Sequence, residues 1–355
     1  MKRSSETQRS RRKNEHIRWA VELADGPGRT GFGDVMLRPE AVPDLDSRAV
    51  DLSTTFLGLR FPFPLLINAL TGGTGEAARI NARLAQVAKA TGLPMAVGSQ
   101  RIALRDPGLT YTFTVVRRVN PRGVIFANLG AGSTPDEALR AVEMVGAQGL
   151  QLHLNAAQEL SMAEGERAFY WSEAVAAVAS HLPVPVIAKE VGCGLSGASA
   201  QRLLALGVKA LDVGGKGGTN FVRIEEKRRR GRGSPFLDWG LPTAWSLLDV
   251  VGTCPGAEVC ASGGLRSGLD MAKALALGAR ICGVARPLLT AVLTGGVKAG
   301  IRLVERWKRE LRMSLVLAGA RDLAELRRKP LIFTGETWNF IVQRRLTAYR
   351  KRARG

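Results

Sequence analysis

GLQLHLNAAQEL, at Gly149 to Leu160, is the stretch on which the reading of the fold turns. Leu150, Leu152 and Leu154 fall on one face of a two-residue repeat, and Gln151, His153 and Asn155 on the other. In a sandwich this would be a half-exposed strand. Here a strongly helical segment precedes Gly149, and the same helix-then-strand pattern recurs along the chain, which points to a parallel barrel. In a barrel the leucines would face the surrounding helices and the polar trio would point inward, toward the strand end where active sites form. Burying such side chains without partners costs roughly 1 to 3 kcal/mol each, so they need one another or a ligand. A hydrogen-bonded core layer and a site wall both meet that need. Gln158 and Glu159 lie just beyond the strand, where a loop carboxylate beside converging polar groups is a natural divalent-metal position.

Working outward from this strand, eight short apolar runs can be read from Pro64 onward: PLLINALTGG, PMAVGSQR, GVIFANLGA, GLQLHLN, VPVIAKEVG, ALDVGGKGG, EVCASGGLR and RICGVARP. Helical segments separate most of them, as a (β/α)8 TIM barrel demands. The helix Pro135 to Val145 carries Ser133 and Thr134 as caps, proline in its first turn and Gly146 at its end. Two units resemble each other, SGASAQRLLALG from Ser196 and SGLDMAKALALG from Ser267, as expected of a fold built from repeated units.

The 355-residue chain suits one such barrel, over residues 61–329, with an N-terminal extension at 1–60 and a basic C-terminal tail at 330–355. Residues 1–12 read as disordered, and Lys13 to Leu23 as a helix. GPGRTG at Gly26 to Gly31 has dinucleotide-fingerprint spacing, but it follows a helix and enters FGDVMLRP, so it is rejected as a Rossmann loop. The basic, polar N-terminus is no secretory signal, and no uninterrupted apolar run reaches the roughly 18 residues of a membrane span. Cys193, Cys254, Cys260 and Cys282 form no CxxC pair, which favours reduced thiols in the cytoplasm. The net charge of +20, concentrated in KRRRGR at 227–232 and in the tail from Arg344, implies attraction to polyanions without choosing among them.

Glycines crowd the ends of the last three strands: Gly214, Gly215, Gly217 and Gly218, then Gly263, Gly264 and Gly268, then Gly283. With a helix starting near Pro287 and with Arg266 and Arg286 beside them, they suit a phosphate, although tight turns alone also use glycine. Lys189 ends the fifth strand. It could stabilise an anion on a bound ring, form a Schiff base, or bridge to Glu190 or Glu159.

Taken in order, RKNEH (12–16), NALTGG (68–73), VGSQR (97–101), NLGA (128–131), QLHLNAAQEL, KEVGCG (189–194), DVGGKGGTNF (212–221) and ASGGLRSG (261–268) resemble the type II isopentenyl-diphosphate isomerases, FMN-dependent barrels. The resemblance runs from about Arg12 to about Leu289 and implies FMN across the barrel mouth. It would place Ala69, Leu70, Thr71, Ser99, Asn128, Lys189 and Thr219 around the ring and ribityl groups, and Gly263, Gly264, Arg266, Ala285 and Arg286 around the phosphate. The substrate diphosphate would meet Arg12, Lys13, His16, Ser99, Gln100 and Arg101. Glu159, aided by Asn155, would hold Mg²⁺, and Gln158 and His153 would touch the hydrocarbon end as candidate catalytic residues. The implied reaction moves a double bond, isopentenyl to dimethylallyl diphosphate, through reduced FMN, with NADPH as the flavin's reductant, in a homo-oligomer. Two other readings are an FMN barrel that oxidises a hydroxy acid or dihydro-heterocycle and, more distantly, a nucleic-acid-binding protein. The latter needs clustered basic and aromatic residues, but the tail offers only Trp338, Phe340 and Tyr349 near its arginines and the glycine-rich loops would go unexplained, so no nucleic acid is expected as partner.

Overall fold

A computed structural model describes residues 13–23, 28–229, 231 and 233–353, and in it all eight apolar runs become strands of one closed parallel barrel. A helix over 13–22 (α1) comes first, then strand β1 (Val35–Leu37) and the hairpin β2 (Thr54–Phe56) and β3 (Leu59–Phe61). The barrel strands are β4 (Leu65–Ile67), β5 (Met95–Ala96), β6 (Ile125–Gly130), β7 (Gly149–Leu154), β8 (Val186–Glu190), β9 (Ala210–Asp212), β10 (Glu258–Ser262) and β11 (Ile281–Val284), with β11 closing on β4. Between them run α2 (Gly75–Thr91), α3 (Arg101–Arg105), α4 (Tyr111–Val119), α5 (Pro135–Val145), α6 (Ala156–Ser161), α7 (Trp171–His181), α8 (Gly197–Ala205), α9 (Phe221–Arg228), α10 (Thr243–Thr253) and α11 (Gly268–Ala276). After β11 come α12 (Arg286–Leu317), α13 (Leu323–Arg328), β12 (Leu331–Phe333), α14 (Gly335–Gln343) and α15 (Thr347–Ala353).

Local chemistry accounts for the boundaries. Thr134 caps α5 in a reciprocal box with Glu137, proline opens the first turn, and Gly146 closes the last. Ser133 is not a cap: its buried hydroxyl bonds nothing among the described residues, because Thr134 is the last extended residue and holds the oxygen that reaches the first-turn amides. The two similar units are structural copies. Ser196 and Ser267 each cap a nine-residue helix, α8 and α11, by accepting from the third residue onward.

The extension and the tail meet each other. β1 pairs antiparallel with β12, Val35 opposite Phe333, and the Asp34 carboxylate accepts from Thr337 N and Oγ1 at 3.1 Å each. The arginine-rich tail is only in part a solvated charge run. The Tyr349 hydroxyl donates to Leu277 O at 2.6 Å and Arg352 to Ala276 O at 2.8 Å, so both satisfy carbonyls at the C-terminal end of α11. Arg344 pairs with buried Asp249 at 2.9 Å. In the other basic run, Arg228 bridges Glu225, Glu15 and Glu164, and Arg229 donates to Ser161 O; residues 230 and 232 lie outside the described part.

One expectation needs qualification. Although charges interrupt every apolar run, α12 holds an 18-residue window with the length and composition of a membrane span. It serves as the barrel's last outer helix: Leu288, Leu289, Val292, Val304, Trp307, Leu311 and Leu315 are buried, on the side where it packs on α2 and α11.

Candidate active site

The C-terminal ends of the strands surround a cavity of about 660 Å³, within the range of small-molecule and cofactor sites. His153, Lys189 and Gly264, far apart in sequence, all line it. So does every residue that the family resemblance places at the site except two. Arg12 lies outside the described residues. Gln100 is fully buried and turned away from the mouth: its Nε2 donates to Ala141 O at 2.8 Å and its Oε1 accepts from Asn128 N at 3.0 Å. It precedes α3 and pins β6 to α5, whereas its neighbours Ser99 and Arg101 face the cavity.

One side of the mouth is backbone. A Cβ on Gly263 would lie 2.1 Å from Gly215 O, and one on Gly264 2.3 Å from Gly217 O; both residues also have positive φ, 108° and 82°. Only glycine fits there. Beside them Ala285 leads into α12 with no side-chain cap, so the first-turn amides of α12, Pro287 apart, are open to an anion. Arg266 and Arg286 line the same end; Arg286 Nη1 also donates to Leu23 O at 2.9 Å, tying the end of α1 to it. This cradle fits the phosphate of an FMN.

The opposite side is built from side chains. Lys13 and His16 of α1 line it; Lys13 Nζ donates to Ser99 O at 3.1 Å, and His16 Nε2 lies 2.7 Å from Glu225 Oε1. Burial pushes the Glu225 pKa up, but the His16 hydrogen bond and Arg228 outweigh it and hold the pKa below the usual carboxylate value. Arg101 pairs with Glu166 at 2.8 Å. Glu159 accepts from Asn155 Nδ2 and from Glu166 N, both at 2.9 Å. Asn155 precedes the short α6 and turns its amide toward the acid, and toward Gln158 at 3.4 Å, rather than capping the helix. Among the described residues no cluster of three acidic, histidine or cysteine ligands exists. One carboxylate and one amide carbonyl nonetheless fit Mg²⁺, which keeps several waters and takes substrate phosphate oxygens as ligands.

The floor is a chain of hydrogen bonds across the barrel. His153 Nδ1 lies 2.9 Å from Asn128 Oδ1, and Asn128 Nδ2 donates to Gln151 Oε1 at 3.1 Å. Gln151 Nε2 donates to Asn68 Oδ1 at 2.9 Å, and Asn68 Nδ2 to Asp212 Oδ2 at 2.6 Å. Lys189 Nζ reaches the same oxygen at 3.0 Å, and the Ser262 hydroxyl donates to Asp212 Oδ1. The polar trio in and just after β7 therefore finds both kinds of partner, with Gln151 inside the network and His153 and Asn155 at the cavity.

Lys189 pairs with the carboxylate of neither Glu190 nor Glu159, although its Nζ donates to the Glu190 main-chain oxygen at 3.2 Å. Parallel pairing sets it opposite Asp212 on β9, and strand alternation sends the Glu190 carboxylate elsewhere, to accept the amides of Gly192, Cys193 and Gly194. Burial pushes the Glu190 pKa up to about 7 against the pull of those amides and Lys189. Burial, with Lys189 and Arg101, pushes the His153 pKa down to about 4. Asp212, Asn68, Ser262 and Glu166 were not singled out from sequence. The first three had a signal, each being a polar residue at or just after the end of an apolar strand; Glu166, in an irregular loop, had none.

Comparison with known proteins adds the family. The profile of the FMN-dependent dehydrogenases matches residues 111–332. The isopentenyl-diphosphate delta-isomerase of Moorella thermoacetica is 48% identical over 93% of this chain and 95% of its own, and that of Listeria innocua 43% identical over 95% of each. Among solved structures, a putative lactate oxidase of Pediococcus acidilactici superposes with a TM-score of 0.69 at 17% identity, over 94% of each chain. A mandelate oxidase does so with 0.65 at 20%, over 93% of this chain and 98% of its own. These structures share the fold. Identity sustained over nearly the whole length settles the rest: the chain belongs to the isopentenyl-diphosphate delta-isomerase family, on the barrel of the FMN-dependent dehydrogenases.

Proposed function

We propose that the protein interconverts isopentenyl and dimethylallyl diphosphate on bound FMN, with Mg²⁺ at the diphosphate and NADPH as the flavin's reductant. The observation that carries this is the two-sided mouth: a backbone phosphate cradle faces a cationic and carboxylate-bearing wall across one cavity. Bound in reduced form, FMN supplies an electron-rich ring that can exchange a proton with the substrate carbons. Lys189, a buried cation at the cavity floor, favours negative charge on a ring above it. Lys13, His16 and Arg101 hold the diphosphate, and Glu159 with the Asn155 carbonyl holds Mg²⁺ against it. Gln158 and His153 orient the five-carbon end. Ile17 and Ala20 of α1 line the cavity and exclude water from above it.

The hydroxy-acid oxidoreductase reading draws on the fold neighbours and on the name of the matching family. It requires a strong base beside the flavin, and the cavity's candidate, His153, has its basicity suppressed by burial and two cations. A cytoplasmic location has support in the four unpaired cysteines. Self-association has support in exposed Tyr170, Phe236 and Trp239.

An anaerobic assay with isopentenyl diphosphate, Mg²⁺, FMN and NADPH tests the reading. The expected result is a yellow protein that forms dimethylallyl diphosphate only once reduced, without consuming reductant stoichiometrically. Reduction of the oxidised flavin by a hydroxy acid, with no double-bond movement, would favour the oxidoreductase.

A further inference from the structure

The floor network has a direction, and its ends differ in chemistry. Asp212 at one end offers only acceptors to the donors around it: Lys189 Nζ, the Ser262 hydroxyl and Gly214 N. An amide placed 2.6 Å from Asp212 Oδ2 must present its NH₂, since two oxygens at that distance repel. Asn68 is thereby oriented, and a second contact fixes it independently, because the backbone N–H of Ala69 donates to its Oδ1 at 2.9 Å. Asn68 Oδ1 then requires the NH₂ of Gln151, so Gln151 turns its oxygen to Asn128, and Asn128 turns its own to the imidazole. At the far end Nδ1 of His153 faces an oxygen and must carry hydrogen.

We propose that Asp212 sets, through Asn68, Gln151 and Asn128, which ring nitrogen of His153 bears hydrogen, holding Nδ1 as donor and Nε2 as an acceptor open to the cavity. Nε2 makes no hydrogen bond among the described residues, and His153 lines the cavity. Asp212 and Gln151 are fully buried and do not line it. They are positioning residues, acting on bound molecules through His153. Each amide in a buried relay is polarised by the next, and reversing one would oppose like groups at both of its own junctions.

The test is nitrogen NMR of the FMN-loaded protein labelled with ¹⁵N-histidine. The chain has only three histidines, and His153→Gln assigns the ring of interest. The wild-type His153 ring should read as Nδ1–H. Gln151→Met, which cuts the relay without touching the cavity or Lys189, should bring in the Nε2–H form and leave His16, His181 and flavin content unchanged. On isopentenyl diphosphate the same variant should lose about ten-fold in kcat with KM within about two-fold, as for second-layer partners of a working imidazole. A wild-type ring protonated at Nε2 overturns the proposal without any variant. So does a folded Gln151→Met protein whose His153 spectrum and kcat match the wild type. The kinetic arm rests on the isomerase reading, but the spectrum does not: an Nδ1–H ring in a protein that fails to isomerise supports the relay and counts against the function.

Discussion

The two sides of the barrel mouth solve recognition differently. Around Gly215, Gly217, Gly263 and Gly264 the wall is main chain pressed on main chain, with no room for a methyl group. Around Arg101, Asn155, Glu159 and Glu166 it is a mesh of side chains that already bond one another. Packed backbone cannot adapt, which suits a resident group of constant shape such as a cofactor phosphate. Paired side chains can exchange partners, which suits a substrate and metal that come and go. Substitutions should therefore fail abruptly on the first side and by degrees on the second.

The sharpest break is expected at Gly264→Val. Its Cβ would strike Gly217 O at positive φ, so FMN affinity should fall by more than about a hundred-fold, read by flavin fluorescence titration. Retained affinity would mean that the glycine rim does not hold the FMN phosphate. On the side-chain wall, Glu159→Gln should lower turnover by about a hundred-fold and flatten its dependence on Mg²⁺ while FMN stays bound. Unchanged metal dependence would take Glu159 out of that role. Arg101→Ala should raise KM for the diphosphate about 30-fold, the loss of about 2 kcal/mol from one charged hydrogen-bonding partner, with kcat nearly kept. Glu166→Gln should act the opposite way. Releasing Arg101 from its carboxylate partner at 2.8 Å should lower KM about three-fold, and a raised KM would recast Glu166 as a substrate or metal contact.

The smallest effect concerns Glu190, which lies on neither wall. Its pKa rises from 4.5 to about 7 on burial, so between those values the folded state holds a proton that the unfolded state has released. Wild-type stability, relative to Glu190→Gln, should therefore be highest below pH 4.5 and decline as pH rises to about 7. Thermal melts across that window should show a shift of a few degrees, and a difference that grows in the other direction would mean that the three loop amides outweigh burial.

Much of this is legible in the sequence. The eight strands, the Thr134 cap and Gly146 stop of α5, the copied units at Ser196 and Ser267 and the convergence of His153, Lys189 and Gly264 all follow from period, punctuation and strand-end chemistry. These are local signals, each set by a few neighbouring residues. Gln100 was misplaced because three consecutive positions, Ser99 to Arg101, cross from strand to helix, and the turn decides which of them looks into the barrel. The partner of Lys189 was missed because Asp212 is 23 residues away and becomes its neighbour only through the register of β8 with β9. The tail could not be assigned from composition, since whether arginines face water or the carbonyls at the end of α11 depends on where α11 ends in space.

Sequence alone determined the barrel, the glycine-rich rim and the kinds of group around the mouth, because backbone period, steric permission and side-chain chemistry belong to the residues themselves. Tertiary structure decided which polar groups are paired, which remain open to a ligand, and in which direction the floor network runs. The hydrogen bond from Asn68, just after β4, across the barrel to Asp212 on β9 exists only once the sheet has closed and brought non-neighbouring strand ends together.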